Sequence, residues 1–178
     1  MDAAEILPHY TGIIVHDCWA SYWKYEDVKH AICCAHLLRE LNGIIENHPE
    51  QTWAVSFKNL LLEMKKVKDK AVISDKDELS YYYLHKFDMK YDSILKTAYK
   101  ENPLPDETPK KRGRKKKNKV LNLICRLDNY KASVCLFIRN LCVPFDNNQA
   151  ERDLRMVKVK TKVSGCFRSK EVRRNILQ

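Results

Sequence analysis

The densest chemistry in this chain lies between Pro144 and Arg155, in the string P-F-D-N-N-Q-A-E-R-D-L-R. Val143-Pro144-Phe145 is an extended lead-in, because the residue before a proline is driven out of the helical region. Asp146 then suits a helix N-cap, and Gln149, three residues on, can complete a capping box. On the helix that follows, Glu151 falls in the second turn and Arg155 four residues later, on the same face. Two uses are open to that carboxylate. It can form a surface pair with Arg155 worth about 0.3–0.5 kcal/mol. Or it can ligate a divalent cation near the positive end of the helix dipole, with Arg152 and Arg155 reaching phosphate oxygens. A second carboxylate, Asp17, closes the string G-I-I-V-H-D that begins at Gly12. Two such groups at the ends of rigid elements can hold metal against a phosphate.

The elements that must position them follow from periodicity. Thr11 to His16 holds the β-branched run Ile13-Ile14-Val15, short enough for a buried strand, with Asp17 at its carboxyl end. That is where strands of open α/β sheets deliver functional side chains. From Val28 the spacing turns helical through Ile32, Ala35, Leu38, Leu41 and Ile45, ending at Asn47 to Pro49. A second helix fits Glu50 to Val72, with Trp53, Phe57, Leu60, Leu61, Met64 and Val67 on one side. Ser74 to Asp77 has the composition of an N-cap. A third helix then reaches about Tyr99, its aromatics (Tyr82, Tyr83, Phe87 and Tyr91) expected in the core. Prolines, Gly113 and a basic run make 101–118 a loop, and helix resumes over 120–140 in two pieces meeting near Asp128-Asn129.

Composition bounds the possibilities. The 178 residues suffice for one domain with a real core, and no apolar run approaches the roughly 18 residues of a membrane span. The N-terminus lacks the basic start and apolar centre of a signal peptide, so a cytoplasmic protein is expected. Seven scattered cysteines point to reduced, mostly buried thiols. Only Cys33-Cys34-Ala35-His36 resembles a ligand cluster, and it lacks the second pair that structural zinc requires. The net charge of +10 is segregated. Lys110 to Lys119 carries eight basic residues and no acidic one, and Glu151 to Gln178 carries +6, leaving the remainder at −4. Such segregation suggests a polyanion met by two segments; a solvated linker beside a basic surface is the alternative.

The long strings are more specific than any of these spacings. Pro144 to Arg155, with M-V-K-V-K-T-K-V-S-G-C-F-R-S after it (Met156 to Ser169), closely resembles the end of the catalytic domain of IS66-family transposases. These are DDE enzymes on the ribonuclease H-like α/β fold. H-D-C-W-A-S-Y (His16 to Tyr22) resembles the segment around that family's second catalytic aspartate. C-C-A-H-L-L-R-E-L (Cys33 to Leu41) resembles its cysteine–histidine helix. K-K-R-G-R-K-K-K and L-N-L-I-C-R-L resemble its linker and next helix.

The resemblance implies that Asp17 and Glu151 are catalytic carboxylates. In the complete enzyme they would share two Mg²⁺ (or Mn²⁺) ions that drive in-line phosphoryl displacement on DNA. It implies a structural or DNA-positioning role for Cys33 and His36. Contacts to DNA fall to Lys110, Lys111, Arg112, Arg114, Lys115, Lys116 and Lys117 of the linker, and to Asn148, Arg152, Arg155, Lys158 and Lys160. The expected layout is the strand and second aspartate at 11–17, a helical insertion at 28–100, a basic loop at 101–119 and a Glu-bearing helical region at 120–178. The partners implied are insertion-sequence ends, target DNA and a missing N-terminal half of the enzyme, in a nucleoid-associated bacterial setting without a membrane. The family's first aspartate has no counterpart upstream of Asp17, and the Asp106-Glu107-Thr108-Pro109 string downstream is taken as coincidence. The expectation is an incomplete ribonuclease H-like domain, mostly helical with one clear strand, that neither cleaves nor joins DNA alone. Metal-dependent strand transfer by the purified chain would refute that. The reading from a different class is a non-catalytic basic DNA-binding module.

Overall fold

A computed structural model describes residues 9–104 and 118–149, together with 152, 153, 155, 156 and 159. The chain divides into two compact units, Met1–Asp146 and Asn147–Gln178.

In the first unit the expected strand is present as β1 (Ile13–His16). It pairs in parallel with β2 (Lys29–Ile32), Ile13 opposite Lys29 through His16 opposite Ile32. This second strand replaces the helix expected from Val28. Val28 and Ile32 stand four residues apart, a separation that suits both the helical period and the strand period. The ladder to β1 decides between them, and such a non-local partner leaves no local trace. Residues 17–28 make the crossover with only a 3-10 turn, Tyr22–Lys24, about the shortest link a parallel pair allows.

Helix α1 (Cys34–Asn47) starts directly after β2 and buries Leu37, Leu41 and Ile44. Then come α2 (Thr52–Ile73) and α3 (Tyr81–Glu101), packed on each other, with α1 against α2. Trp53, Phe57, Leu61, Met64, Phe87 and Tyr91 form the centre of the core, Phe57 meeting Tyr91 edge-on at 4.8 Å. The Tyr91 hydroxyl donates to the Leu127 carbonyl at 2.8 Å, tying α3 to α4 (Lys119–Asn129). Asn118 caps α4 through its side chain, which accepts from the Leu121 N–H at 2.7 Å. Two short helices, α5 (Lys131–Val134) and α6 (Leu136–Arg139), pack on β2. The expected break lies at Tyr130, and a further one follows at Cys135.

Two expectations are corrected here. Ser74 to Asp77 is no N-cap: Asp75 takes the left-handed conformation (φ 53°) that ends α2, and the residue preceding α3 is Ser80. Of the third helix's aromatics, Phe87 and Tyr91 are buried, whereas Tyr82 and Tyr83 are exposed. Tyr82 lies five residues before Phe87, half a turn away from the buried stripe.

In the second unit Asn148, Gln149, Arg152, Asp153, Arg155, Met156 and Val159 are helical, with the Gln149 side chain turned forward along the helix rather than back into the expected capping box. The Gln149 carboxamide reaches along this helix, donating to Asp153 Oδ1 at 3.0 Å and accepting from Arg152 at 2.8 Å. No helix among the described residues is long and apolar enough to cross a membrane.

Candidate functional site

β1 delivers Asp17 to its carboxyl end, exposed to solvent. The chain turns there through Cys18, which is left-handed at φ 66° without being glycine. Such a residue costs about 1–2 kcal/mol and needs its surroundings to hold it. Asp17 Oδ1 accepts the Trp19 N–H at 3.3 Å, and the Trp19 carbonyl accepts the Tyr22 N–H at 3.0 Å.

The stronger hold comes from His16, whose side chain is buried. Its Nδ1 accepts the Cys18 N–H at 3.1 Å. Since an amide can only donate, the ring proton of neutral His16 is on Nε2, which donates to His30 Nδ1 at 3.1 Å. His30 Nε2–H then donates to the Tyr25 carbonyl at 3.0 Å. An amide at one end and a carbonyl at the other fix both tautomers. Burial, then the neighbouring His30, lowers the His16 pKa to about 4, against a small opposing pull from Asp17. Rings close the pocket. Tyr22 stacks on His16 at 4.7 Å, and Trp23 lies edge-on to it at 5.1 Å while stacking on Tyr130 at 4.1 Å. Burial and the charge of Asp17 both push the Tyr22 hydroxyl's pKa up.

The lead-in to the other carboxylate is fixed as firmly. Val143 and Phe145 are buried, and Phe145 meets Phe137 edge-on at 5.1 Å. Lys68 of α2, only 6% exposed, donates its Nζ to the Val143 carbonyl. Desolvation holds this ammonium below the usual lysine range, against opposing pulls from Asp69, Cys142 and Cys34. It also sits 5.8 Å from the centre of the Phe137 ring, a favourable place for a cation.

The cysteine–histidine motif joins these two regions through its backbone. The Cys33 N–H donates to the His16 carbonyl at 2.8 Å, and the Cys34 N–H to the Phe145 carbonyl at 3.0 Å. Adjacent amides thus hold the residue before Asp17 and the residue before Asp146. Cys33 precedes the first turn of α1, and the His36 N–H donates back to its carbonyl at 3.2 Å. Among the described residues no cysteine forms a disulfide. Burial pushes Cys34 well above the usual thiol range and Cys135 up to about 12. Among the described residues no three His, Cys, Asp or Glu side chains gather as a metal site.

Of the other expected residues, Asn148 is half-buried while Arg152 and Arg155 are exposed. Glu151, Lys110, Lys111, Arg112, Arg114, Lys115, Lys116, Lys117, Lys158 and Lys160 lie outside the described residues. Sequence reasoning missed His16, His30, Lys68 and the two amides. The signal for Lys68 was present: Phe57, Leu61, Met64, Lys68 and Ala71 form one helical stripe. The backbone amides have no side-chain signature at all.

Comparison with known families now bears on this arrangement. The family model described as transposase IS66 family matches residues 2–175. No curated protein and no solved structure matches the chain.

Proposed function

Because the chain belongs to the IS66 transposase family, we propose that it serves DNA transposition, with Asp17 and Glu151 as two carboxylates of a metal-dependent phosphoryl-transfer site on a ribonuclease H-like sheet. The observation that carries this is the match of the transposase IS66 family model to residues 2–175; within the first unit, adjacent amides hold the carbonyls of His16 and Phe145. Asp17 follows the first anchor directly, and Glu151 is six residues beyond the second.

Asp17 suits the group it would hold. Asp17 offers a hard, solvent-accessible oxygen donor of the kind Mg²⁺ takes, on a turn whose amides and imidazoles keep it in place. When bound, divalent cations activate the attacking oxygen and neutralise charge on the leaving one. The chain's own residues have other tasks. His16 and His30, whose ring nitrogens are all engaged in hydrogen bonds, position the turn. Lys68 positions the lead-in to the Glu151 segment. Arg152 and Arg155 are suited to phosphate oxygens, and the basic run Lys110–Lys119 to the DNA backbone. Two carboxylates alone would leave two cations underligated, so strand transfer calls for a further acidic ligand beside Asp17 and Glu151.

The test is Mn²⁺ binding to the purified chain, followed by loss of the free-ion resonance signal. Asp17→Asn and Glu151→Gln are each expected to weaken it at least tenfold. Unchanged affinity in both variants would sink the shared site. The non-catalytic DNA-binding alternative keeps support from charge segregation alone. It predicts salt-sensitive DNA affinity that neither substitution nor metal alters.

A further inference from the structure

The chain has three tryptophans, and two have evident structural work. Trp53 is fully buried with its indole N–H on Gln51 Oε1 at 2.7 Å. Trp23 stacks on Tyr130 and packs at 4.5 Å from His30. Trp19 differs: 65% of it faces solvent. An isolated exposed apolar residue needs no explanation. The setting of Trp19 does call for one. It sits two residues from Asp17, on a turn that keeps Cys18 left-handed, with its N–H on Asp17 Oδ1 and its carbonyl on the Tyr22 N–H. The turn therefore carries backbone strain at the stem of an indole that is largely exposed, beside the carboxylate. Strained, over-determined turns of this kind cluster at functional sites.

We propose that Trp19 is a stacking platform for an unpaired nucleobase next to the phosphate addressed by Asp17. This rests on the reading of the chain as acting on DNA, and adds which part of the strand it grips. A flat, rigid π-surface without a specific polar partner suits any base, and aromatic stacking tolerates sequence for that reason. Bases inside a duplex are covered on both faces, so the platform selects single-stranded, frayed or extruded nucleotides. The same carboxylate turn would then meet phosphate on one side and base on the other.

The isolation of Trp19 makes the test direct, since it is the exposed indole of the three. Tryptophan emission of the full chain is followed during titration with a single-stranded oligonucleotide and with its paired duplex. Affinity is measured in parallel by anisotropy of a labelled strand. The single strand is expected to quench wild-type emission, and Trp19→Leu to abolish the quenching. Trp19→Leu should weaken single-strand binding roughly five- to hundredfold and duplex binding less than about twofold. Trp19→Phe, which keeps a stackable ring, should restore most of the affinity. Unaltered far-UV circular dichroism confirms that neither variant unfolds. Equal binding by wild type and Trp19→Leu, without quenching, would overturn the platform and leave the DNA reading intact. Failure of both to bind any DNA at low salt would overturn the DNA reading with it. A change of oligomeric state in Trp19→Leu with DNA affinity intact would overturn the proposal in favour of a protein contact.

Discussion

Two regions of the core hold chain segments that lead to acidic residues, and they hold them by opposite means. At the end of β1 the Asp17 turn hangs on neutral groups: an amide, two imidazoles and a carbonyl in line. At Val143–Phe145 the hold is a buried ammonium on a carbonyl, with no carboxylate in contact among its described partners. Neutral hydrogen-bonded groups cost little to bury once every donor has an acceptor. A buried cation is dearer, because its desolvation is recovered only partly by one carbonyl, one ring face and the pull of nearby Asp69. The difference teaches where the strain of the fold sits. The histidine relay is cheap but depends on proton count, and the lysine clamp is costly but depends on one side chain.

The largest expected effect breaks the clamp. Lys68→Ala removes a long buried stem, its hydrogen bond and its contact with Phe137, and should cost about 3 kcal/mol in urea unfolding. Lys68→Met keeps the volume and the apolar stem, so its loss should be about 1 kcal/mol. The comparison turns on amide exchange. If the charge is what pins the Val143 carbonyl, both variants accelerate exchange around residues 143–146. If packing alone pins it, Met protects as well as Lys does.

A smaller effect tests the other hold. His30→Ala leaves His16 Nε2–H buried without its acceptor and opens the stack against Trp23, a loss of about 2 kcal/mol. Exchange should quicken at Cys18 and Trp19 and stay unchanged at Phe145. Equal responses at both places would show one cooperative unit rather than two holds.

How much of this could be read beforehand depended on whether the cause was local. Helices α2 and α3 were legible because Trp53, Phe57, Leu61, Met64, Phe87 and Tyr91 repeat at helical spacing, whereas α1 buries Leu37 and Ile44 beside Leu41 where Leu38 and Ile45 were expected. Asp17 was legible as the end of a strand because Ile13-Ile14-Val15 suits nothing else so short. β2 was not, since Lys29-His30-Ala31-Ile32 takes its conformation from a partner sixteen residues away. Nor was the role of Cys33 and Cys34, whose backbone acts while their thiols invite a metal reading. Lys68 was hidden by its own type: a lysine is expected at the surface, so its place on the buried stripe was passed over for Val67.

The smallest effect separates the holds by pH. The His16 pKa is about 4 in the folded chain against an ordinary 6.5. Between those values the unfolded chain carries a proton that folded His16 refuses, so unfolding takes up protons and stability rises with pH. The relay's contribution is therefore complete above about pH 6.5 and drains away as pH falls toward 4. Carboxylates add their own slope in acid, so the useful quantity is a difference between variants in urea midpoints at pH 7 and pH 4.5. His16→Asn, which cannot take a proton, should be less stable than wild type at pH 7 and approach it at pH 4.5. Lys68→Met should trail wild type by the same margin at both. If His16→Asn keeps its full deficit in acid, protonation does not break the relay, and the two regions differ in composition but not in how they respond to acid.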